Sequence, residues 1–218
     1  MEGRELKSMR DWAHEMGFDL PPDRVDLLAA FLDELWQWNK KTNLIGIRSK
    51  DRIITELLLD SLVPLPYLPH RGSILDLGSG AGFPIIPLKI CRKGLEVHLI
   101  EANNKKVNFL RHVIRLTGLS GIDVKRGRIE TAGDLLQPDG YDIITARAVA
   151  PLEKVITWCS PHLKQAGLMI NFQGSAFAES IKRSSEVMDK NRIFLYESVP
   201  YRLPQKRAKR HILLFKKN

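Results

Sequence analysis

Cysteine is scarce: the 218 residues include only Cys91 and Cys159, neither in a Cys-x-x-Cys pair. Two isolated thiols cannot build a disulfide framework. The six histidines show no metal-ligand spacing, and no metal is expected. No apolar run approaches the ~18 residues of a membrane span. The stretch 1–17 is charged throughout, unlike a signal peptide. Internal repeats and low-complexity segments are lacking. Together these absences describe a reduced, cytoplasmic protein that uses no membrane. Two nucleotide-binding loops are missing too. There is no G-x-x-x-x-G-K-[ST] segment, and Phe83 stands where the dinucleotide fingerprint G-x-G-x-x-G needs its third glycine.

Charge of one sign is in excess. Lys plus Arg number 34 and Asp plus Glu 25, a net charge of +9. An excess of this size points to a polyanionic partner only where it is clustered. The final 18 residues hold seven bases and no acid, whereas the other 200 hold 27 bases against 25 acids. A second basic stretch, 105–128, has seven bases and one acid, Asp123, while residues 1–60 have nine bases and twelve acids.

The first 70 residues read as helices. Leu27, Leu28, Phe31, Leu32, Leu35 and Trp38 recur every three or four positions, giving one apolar face. Pro21 and Pro22 lead into this helix, and Asp23 suits its positive end. Trp36 and Trp38 flank Gln37, so only one of them can lie fully on the core face. A second helix is predicted from Ser49 through Leu62 with Ile53, Leu57 and Leu58 inward, closed by Pro64, Pro66 and Pro69. From Ser73 onward short apolar runs alternate with helical stretches. That alternation predicts βαβ units and a mostly parallel, doubly wound α/β sheet. The last two runs, around 193–200 and 211–217, have no helix between them and predict an antiparallel hairpin at one edge. The expected division is a helical extension over 1–70 packed on an α/β domain over 71–218.

The sharpest local signal is Asp76-Leu77-Gly78-Ser79-Gly80-Ala81-Gly82-Phe83-Pro84, which follows a strand and opens a helix. Glycines let a backbone turn sharply and approach a ligand. A carboxylate just ahead of the loop, Asp76, would repel a pyrophosphate but suits a cationic ligand. Glu101 ends the next strand, where an acid can accept from both hydroxyls of a ribose. Two acids, a glycine loop and no phosphate clamp describe a site for S-adenosylmethionine (SAM). The competing explanation is a tight strand–helix turn that holds nothing.

At these residues the chain resembles the RsmG/GidB family, bacterial methyltransferases of guanine N7 in 16S rRNA. The resemblance runs from about Leu28 to Lys216. It rests on Trp38-Asn39-Lys40 with Asn43-Leu44, Leu59-Asp60-Ser61, Asp76 through Pro84 with Ile86-Pro87-Leu88, and Lys105-Lys106-Val107. Phe109-Leu110-Arg111, Ala146-Arg147-Ala148 and Arg210-His211 extend it. It implies a Rossmann-like class I SAM-dependent fold with an N-terminal helical extension. The SAM contacts it implies fall on Gly78, Gly80, Glu101, Arg128, Ile129 and Glu130; Asp76, Gly82, Phe83 and Arg147 complete the expected cofactor-binding set. The family's basic residues fall on Lys105, Lys106, Arg128, Arg147 and Arg210. Two positions depart from the family pattern: Gln173 stands where Lys is common, and Leu57 where His is common.

Arg147 follows the apolar run Ile143-Ile144 at a strand's carboxyl end. It is the expected catalytic residue, holding an rRNA phosphate or the guanine O6. The alternative is a salt bridge to Asp142 or Glu130. Lys105, Lys106, Lys206, Arg207, Lys209 and Arg210 are the further candidates for RNA, with a solvated face as the alternative. The tip of the terminal hairpin is expected to project from the sheet edge. Trp12 and Trp158 read as packing residues rather than base-stacking ones. Guanine N7 has a free lone pair, so positioning and desolvation can replace a general base. The expected partners are SAM and 16S rRNA or the 30S subunit, with the protein a monomer. The alternatives are methylation of another RNA or a small molecule, and an RNA-binding homologue with reduced catalysis.

Overall fold

The computed structural model describes residue 1 and residues 3–218. Two helices, α1 (Gly3–Glu15) and α2 (Pro22–Thr42), open the chain. Pro22 occupies the first turn of α2, where its missing N–H costs nothing, and Lys40 and Lys41 complement the negative end of the helix dipole. Asn43 closes α2 in the left-handed region at φ +50°, with its N–H bonded to the Asn39 carbonyl at 3.2 Å.

The helix expected over 49–62 forms with an irregular centre. Ser49 caps α3 (Lys50–Ile53), a π-helical segment follows over Ile54–Leu59, and α4 (Asp60–Leu62) completes it. Ile53 and Leu58 are buried as expected, and Leu57 is only half-buried.

The α/β part runs β1 (Gly72–Leu77), α5 (Ile85–Cys91), β2 (Leu95–Glu101), α6 (Asn104–Thr117), β3 (Ile122–Arg126), β4 (Tyr141–Ala146), α7 (Leu152–Cys159), β5 (Leu163–Gln173), α8 (Phe177–Lys190), β6 (Ile193–Arg202) and β7 (Lys209–Lys217). Among the described residues the seven strands make one sheet in the order β3-β2-β1-β4-β5-β7-β6. Strands β1 to β5 are parallel. β7 lies antiparallel to both β5 and β6, which leaves β6 at the edge. The strand order reverses between β1 and β4, and in open α/β sheets the ligand crevice lies outside the carboxyl ends at such a point.

Side chains alternate between two apolar layers. Ile74 joins the core formed with α2, α5 and α6, while Leu75 and Leu77 join the core under α7. The N-terminal helices share the first of these cores. The Phe31 ring of α2 lies 5.1 Å from Phe83 and 6.3 Å from Phe109, centroid to centroid. Trp36 and Trp38 are both half-buried, within the limit that at most one could lie fully on the core face. Trp38 packs edge-on against Phe109 at 5.6 Å, and Trp36 lies beneath Lys40 at 5.5 Å and Lys50 at 5.9 Å. A cation over an indole face is a stable partial exposure.

Because one core joins the helices to the sheet, Phe31→Ala should destabilise the whole protein by about 3–5 kcal/mol. Urea unfolding followed by both tryptophan fluorescence and circular dichroism should show a single shifted transition. Two separate transitions would mean that the helices fold as a unit of their own.

Candidate functional site

The glycine loop leans over the end of β2. Ser79 N donates to the Ile100 carbonyl at 3.1 Å, and Gly80 N donates to Glu101 Oε2 at 2.8 Å. The other Glu101 oxygen accepts from Asn103 N at 2.7 Å. Each carboxylate oxygen retains a lone pair for a further donor. Asn103 also caps α6, accepting from Lys105 N at 2.9 Å and Lys106 N at 3.4 Å.

Beside this loop lies a cleft of about 270 Å³. Its walls are Leu77, Ile100, Ile129, Val149 and Trp158, and its polar groups are Glu101, Arg128 and Glu130. Apolar walls around one inward acid suit a planar base with a vicinal diol. Among the described residues Arg128 is the one cation lining it, too little to clamp a pyrophosphate. A larger hollow of about 430 Å³ at the end of α2, lined by Trp36, Asn39, Lys40, Lys41, Asn43 and Arg48, includes no residue of the loop or the strand ends.

The loop glycines differ in what they meet. A side chain at Gly80 (φ +57°) would enter open space, its nearest neighbour being the Gly78 carbonyl at 3.7 Å. A side chain at Gly82 (φ +91°) would strike Ile86 Cγ1 at 2.6 Å. Gly80 therefore leaves room for a ligand, whereas Gly82 lets α5 approach the loop. Phe83, expected at the cofactor, is 8% exposed and packs into the core on Phe31. That ring is part of the helix–sheet interface and stands outside the cleft lining.

Asp76 is also set apart from the cleft surface. It is 1% exposed, and its Oδ1 accepts from the Thr145 hydroxyl at 2.5 Å while Oδ2 has no hydrogen-bond partner. Burial pushes its carboxyl up to about 7, an effect the Thr145 bond offsets in part. Glu101 raises it further and Arg147 lowers it, so Asp76 senses both neighbours.

Arg147 pairs with neither Asp142 nor Glu130. Its Nε lies 3.0 Å from Asp60 Oδ2, an ion pair without hydrogen-bond alignment, and its Nη2 donates to the Glu56 carbonyl at 2.7 Å. Asp142 is instead held by Lys164 at 2.9 Å and by Ser73. Arg210 Nη1 and the Tyr201 hydroxyl both donate to Asp60 Oδ1, at 2.8 and 2.6 Å. Burial first, and then the Asp60 charge, push the Tyr201 phenol well above its ordinary value. Glu56 pairs with Arg52 at 2.8 Å and Lys206 at 2.7 Å, and the Arg52 bond is the main cause of its carboxyl falling to about 2. Nothing in the loop 76–84 or the basic runs signalled this acid cluster. The quoted segment Leu59-Asp60-Ser61 was its only trace in the sequence.

The hairpin tip does not project freely. Leu203 and Pro204 are buried, and Lys206 is tied to Glu56. Arg207 and Lys209 remain exposed. Lys105 is exposed and Lys106 half-buried at the start of α6, beside Glu101. Gln173 donates to Asn171 Oδ1 at 2.7 Å at the end of β5. Trp158, read from sequence as a packing residue, is half-buried and lines the cleft.

Residues 24–213 match the family model GidB, rRNA small subunit methyltransferase G. The chain is 34% identical over 215 residues to the ribosomal RNA small subunit methyltransferase G of Bacillus cytotoxicus, covering 97% of this chain and 90% of that one. It is 33% identical over 202 residues to the protein of the same name from Neisseria meningitidis serogroup B, covering 93% of each. Among solved structures it is similar to the Bacillus subtilis M1A22 tRNA methyltransferase TrmK, with TM-score 0.59 and 16% identity over 73% of this chain and 65% of that one. The crystal structure of M. jannaschii TYW2 in complex with AdoMet is also similar, with TM-score 0.57 and 18% identity over 72% of this chain and 71% of that one. At these identities the structures establish the Rossmann-like methyltransferase fold.

The buried Asp76 makes stability depend on pH. Its folded value of about 7 lies above the ordinary 3.8. Its stabilising contribution is therefore complete below about pH 4 and is lost as pH rises through 7. Asp76→Asn should remove a loss on the order of 4 kcal/mol across that window. Urea titrations between pH 4.5 and 8.5 should show a flatter profile for the variant; parallel profiles would contradict the assignment.

Proposed function

The chain belongs to the GidB family, the rRNA small subunit methyltransferase G proteins, and on that premise we propose that it methylates N7 of a guanine in 16S rRNA, using SAM. The observation that carries the site assignment is the closure of the glycine loop on Glu101, Gly80 N to Oε2 at 2.8 Å, beside an apolar cleft with one inward acid. The open space at Gly80 fits a bound cofactor. SAM supplies, when bound, an electrophilic methyl carbon on a sulfonium sulfur.

In this reading Glu101 takes the ribose hydroxyls, and Ile100, Ile129 and Trp158 flank the adenine. Gly78 and Gly80 admit the amino-acid end. Asp76 places negative charge beneath a cationic ligand. Guanine N7 needs no deprotonation, so the chain's task is to hold the acceptor and exclude water. Arg147 and Arg210 stand at the carboxyl edge of the sheet on the β4–β5–β7 side and take the RNA. Lys105, Lys106, Arg207 and Lys209 add phosphate contacts. The same reading has the protein act as a cytoplasmic monomer on 16S rRNA, free or within the 30S subunit.

Incubation with tritiated SAM and 30S subunits or 16S rRNA tests this directly. The methylated base should be cut by borohydride and aniline, the signature of N7-methylguanine. Glu101→Ala should weaken SAM binding by about 10- to 150-fold in calorimetry, the worth of a charge-assisted hydrogen bond. Methyl on a ribose or an exocyclic amine, or unchanged affinity, would overturn the reading.

The basic tail gives a separate expectation. Arg207→Ala with Lys209→Ala should reduce the slope of log K against log salt by about 1.4, at about 0.7 per phosphate of a single strand. Lys206→Ala should change it less, because Lys206 is already held in an ion pair by Glu56, which it shares with Arg52. Filter binding at several salt concentrations distinguishes contact from a merely solvated tail, for which both slopes stay at the wild-type value.

A further inference from the structure

We propose that Asp60 is a positioning residue that holds Arg147 and Arg210 side by side as a clamp for one phosphodiester of the RNA strand. This rests on the reading of the chain as an rRNA methyltransferase and extends it to a residue that touches neither cofactor nor substrate.

Asp60 is fully buried at the end of the π-helical segment. π-Helical turns recur at functional sites. A buried ion pair is weak as a staple, since apolar residues of similar volume often serve stability as well or better. Retaining the acid calls for a task that an apolar contact cannot perform. The geometry supplies one. Both guanidinium groups meet the same carboxylate, Arg147 through Oδ2 at 3.0 Å and Arg210 through Oδ1 at 2.8 Å. Tyr201 adds a third donor at 2.6 Å, fixing the carboxylate plane.

Each guanidinium carries five N–H donors. Asp60 and the Glu56 carbonyl occupy few of them, and the Arg210 side chain stays 36% exposed. Two planar forks with donors to spare suit a phosphate, which accepts bidentate bonds. The charge matches as well: two guanidiniums and one carboxylate leave a single positive charge, and a phosphodiester carries a single negative one. The neighbouring cations Arg52 and Lys206 share the single Glu56 carboxylate, which offsets half of their charge.

The clamp is beside the cleft. Arg147 follows the last residue of β4, and Val149, two residues on, lines the cleft. Ala148 between them adopts φ +52°, a left-handed conformation that non-glycine residues rarely adopt. Such a bend sets Arg147 towards Asp60 and Val149 towards the cleft. Arg210 enters from β7, which is separated from β4 only by β5. A strand gripped there presents its next base to the cofactor end of the sheet.

The test uses the full chain with 30S subunits or 16S rRNA and tritiated SAM. Asp60→Asn keeps the size and removes the charge that orients both arginines. It should lower kcat at least about tenfold while SAM affinity stays within about twofold of wild type. Tyr201→Phe should lower kcat by a smaller factor, about two to five, with the same unchanged SAM affinity. Arg147→Ala with Arg210→Ala should reduce the salt slope of RNA binding by about 0.7, the value for one phosphate. An unchanged kcat in Asp60→Asn, or a loss matched by equal loss of SAM affinity and folded fraction, overturns the positioning role. Should Asp60→Asn fail to fold, an unchanged kcat in Tyr201→Phe overturns it. An unchanged salt slope in the double variant overturns the phosphate assignment. A wild-type protein that methylates no rRNA defeats the functional reading itself, which separates the two failures.

Discussion

One buried carboxylate joins parts of the chain that are remote in sequence. Asp60 bonds Tyr201 and Arg210 at separations of 141 and 150 residues, and it also pairs with Arg147. Taking away one partner of a buried pair leaves an uncompensated charge, which typically costs about 3–5 kcal/mol. Against a total stability of roughly 5–15 kcal/mol, that makes the partners interdependent. The second helical segment, the end of β4 and the terminal hairpin must therefore be in register together. This constraint also gives the antiparallel insertion of β7 a consequence beyond sheet closure. It delivers Arg210 to the same edge of the sheet at which the parallel strands end.

A second carboxylate organises the other half of that edge. Glu101 accepts from the backbone on both sides, Gly80 and Asn103, so it shapes the glycine loop and sets the start of α6. Asp76 is buried between the two halves. It is pushed up by burial and by Glu101 and pulled down by Thr145 and Arg147. Its protonation therefore answers to events on both sides. A cation brought near it favours the charged form, and an Arg147 drawn away towards a phosphate disfavours it. In the proposed reading this links the cofactor and acceptor sites through one buried proton site.

The sheet was legible because its signals are local. Strand runs and the glycine loop each occupy a few consecutive residues, and the strand–helix alternation set the order of elements. Glu101 and Gly78 were legible for the same reason, since strand ends and loops converge on the switch point, whereas the 128–130 segment that lines the cleft came only from the family resemblance. Side-chain direction was not. Phe83 sits in the loop by sequence, but its ring points back into the helix–sheet core against Phe31. The partner of Arg147 was misread because nearby acids were considered, whereas the acid that meets it is buried in a helix of the N-terminal block. The hairpin tip was misjudged similarly. Its charge is visible in sequence, but the ion pair between Lys206 and Glu56 exists only once the chain has folded.

This last point changes what a charge count can say. Residues 1–60 are acidic on balance and the final 18 are strongly basic. Had the two blocks stayed apart, the protein would carry one negative and one positive pole. Instead Glu56 and Asp60 take up Lys206 and Arg210 from the tail, together with Arg52 and Arg147. The acids of the helical block thus offset part of the charge that would otherwise attract any polyanion, and they do so at short range, where salt screens least. In the proposed reading the cations left exposed, Lys105, Arg128, Arg207 and Lys209 among them, are the ones that draw RNA from a distance. On that reading the paired arginines act only on a strand already in contact, so attraction and alignment fall to different residues, and the buried acids are what separates the two roles.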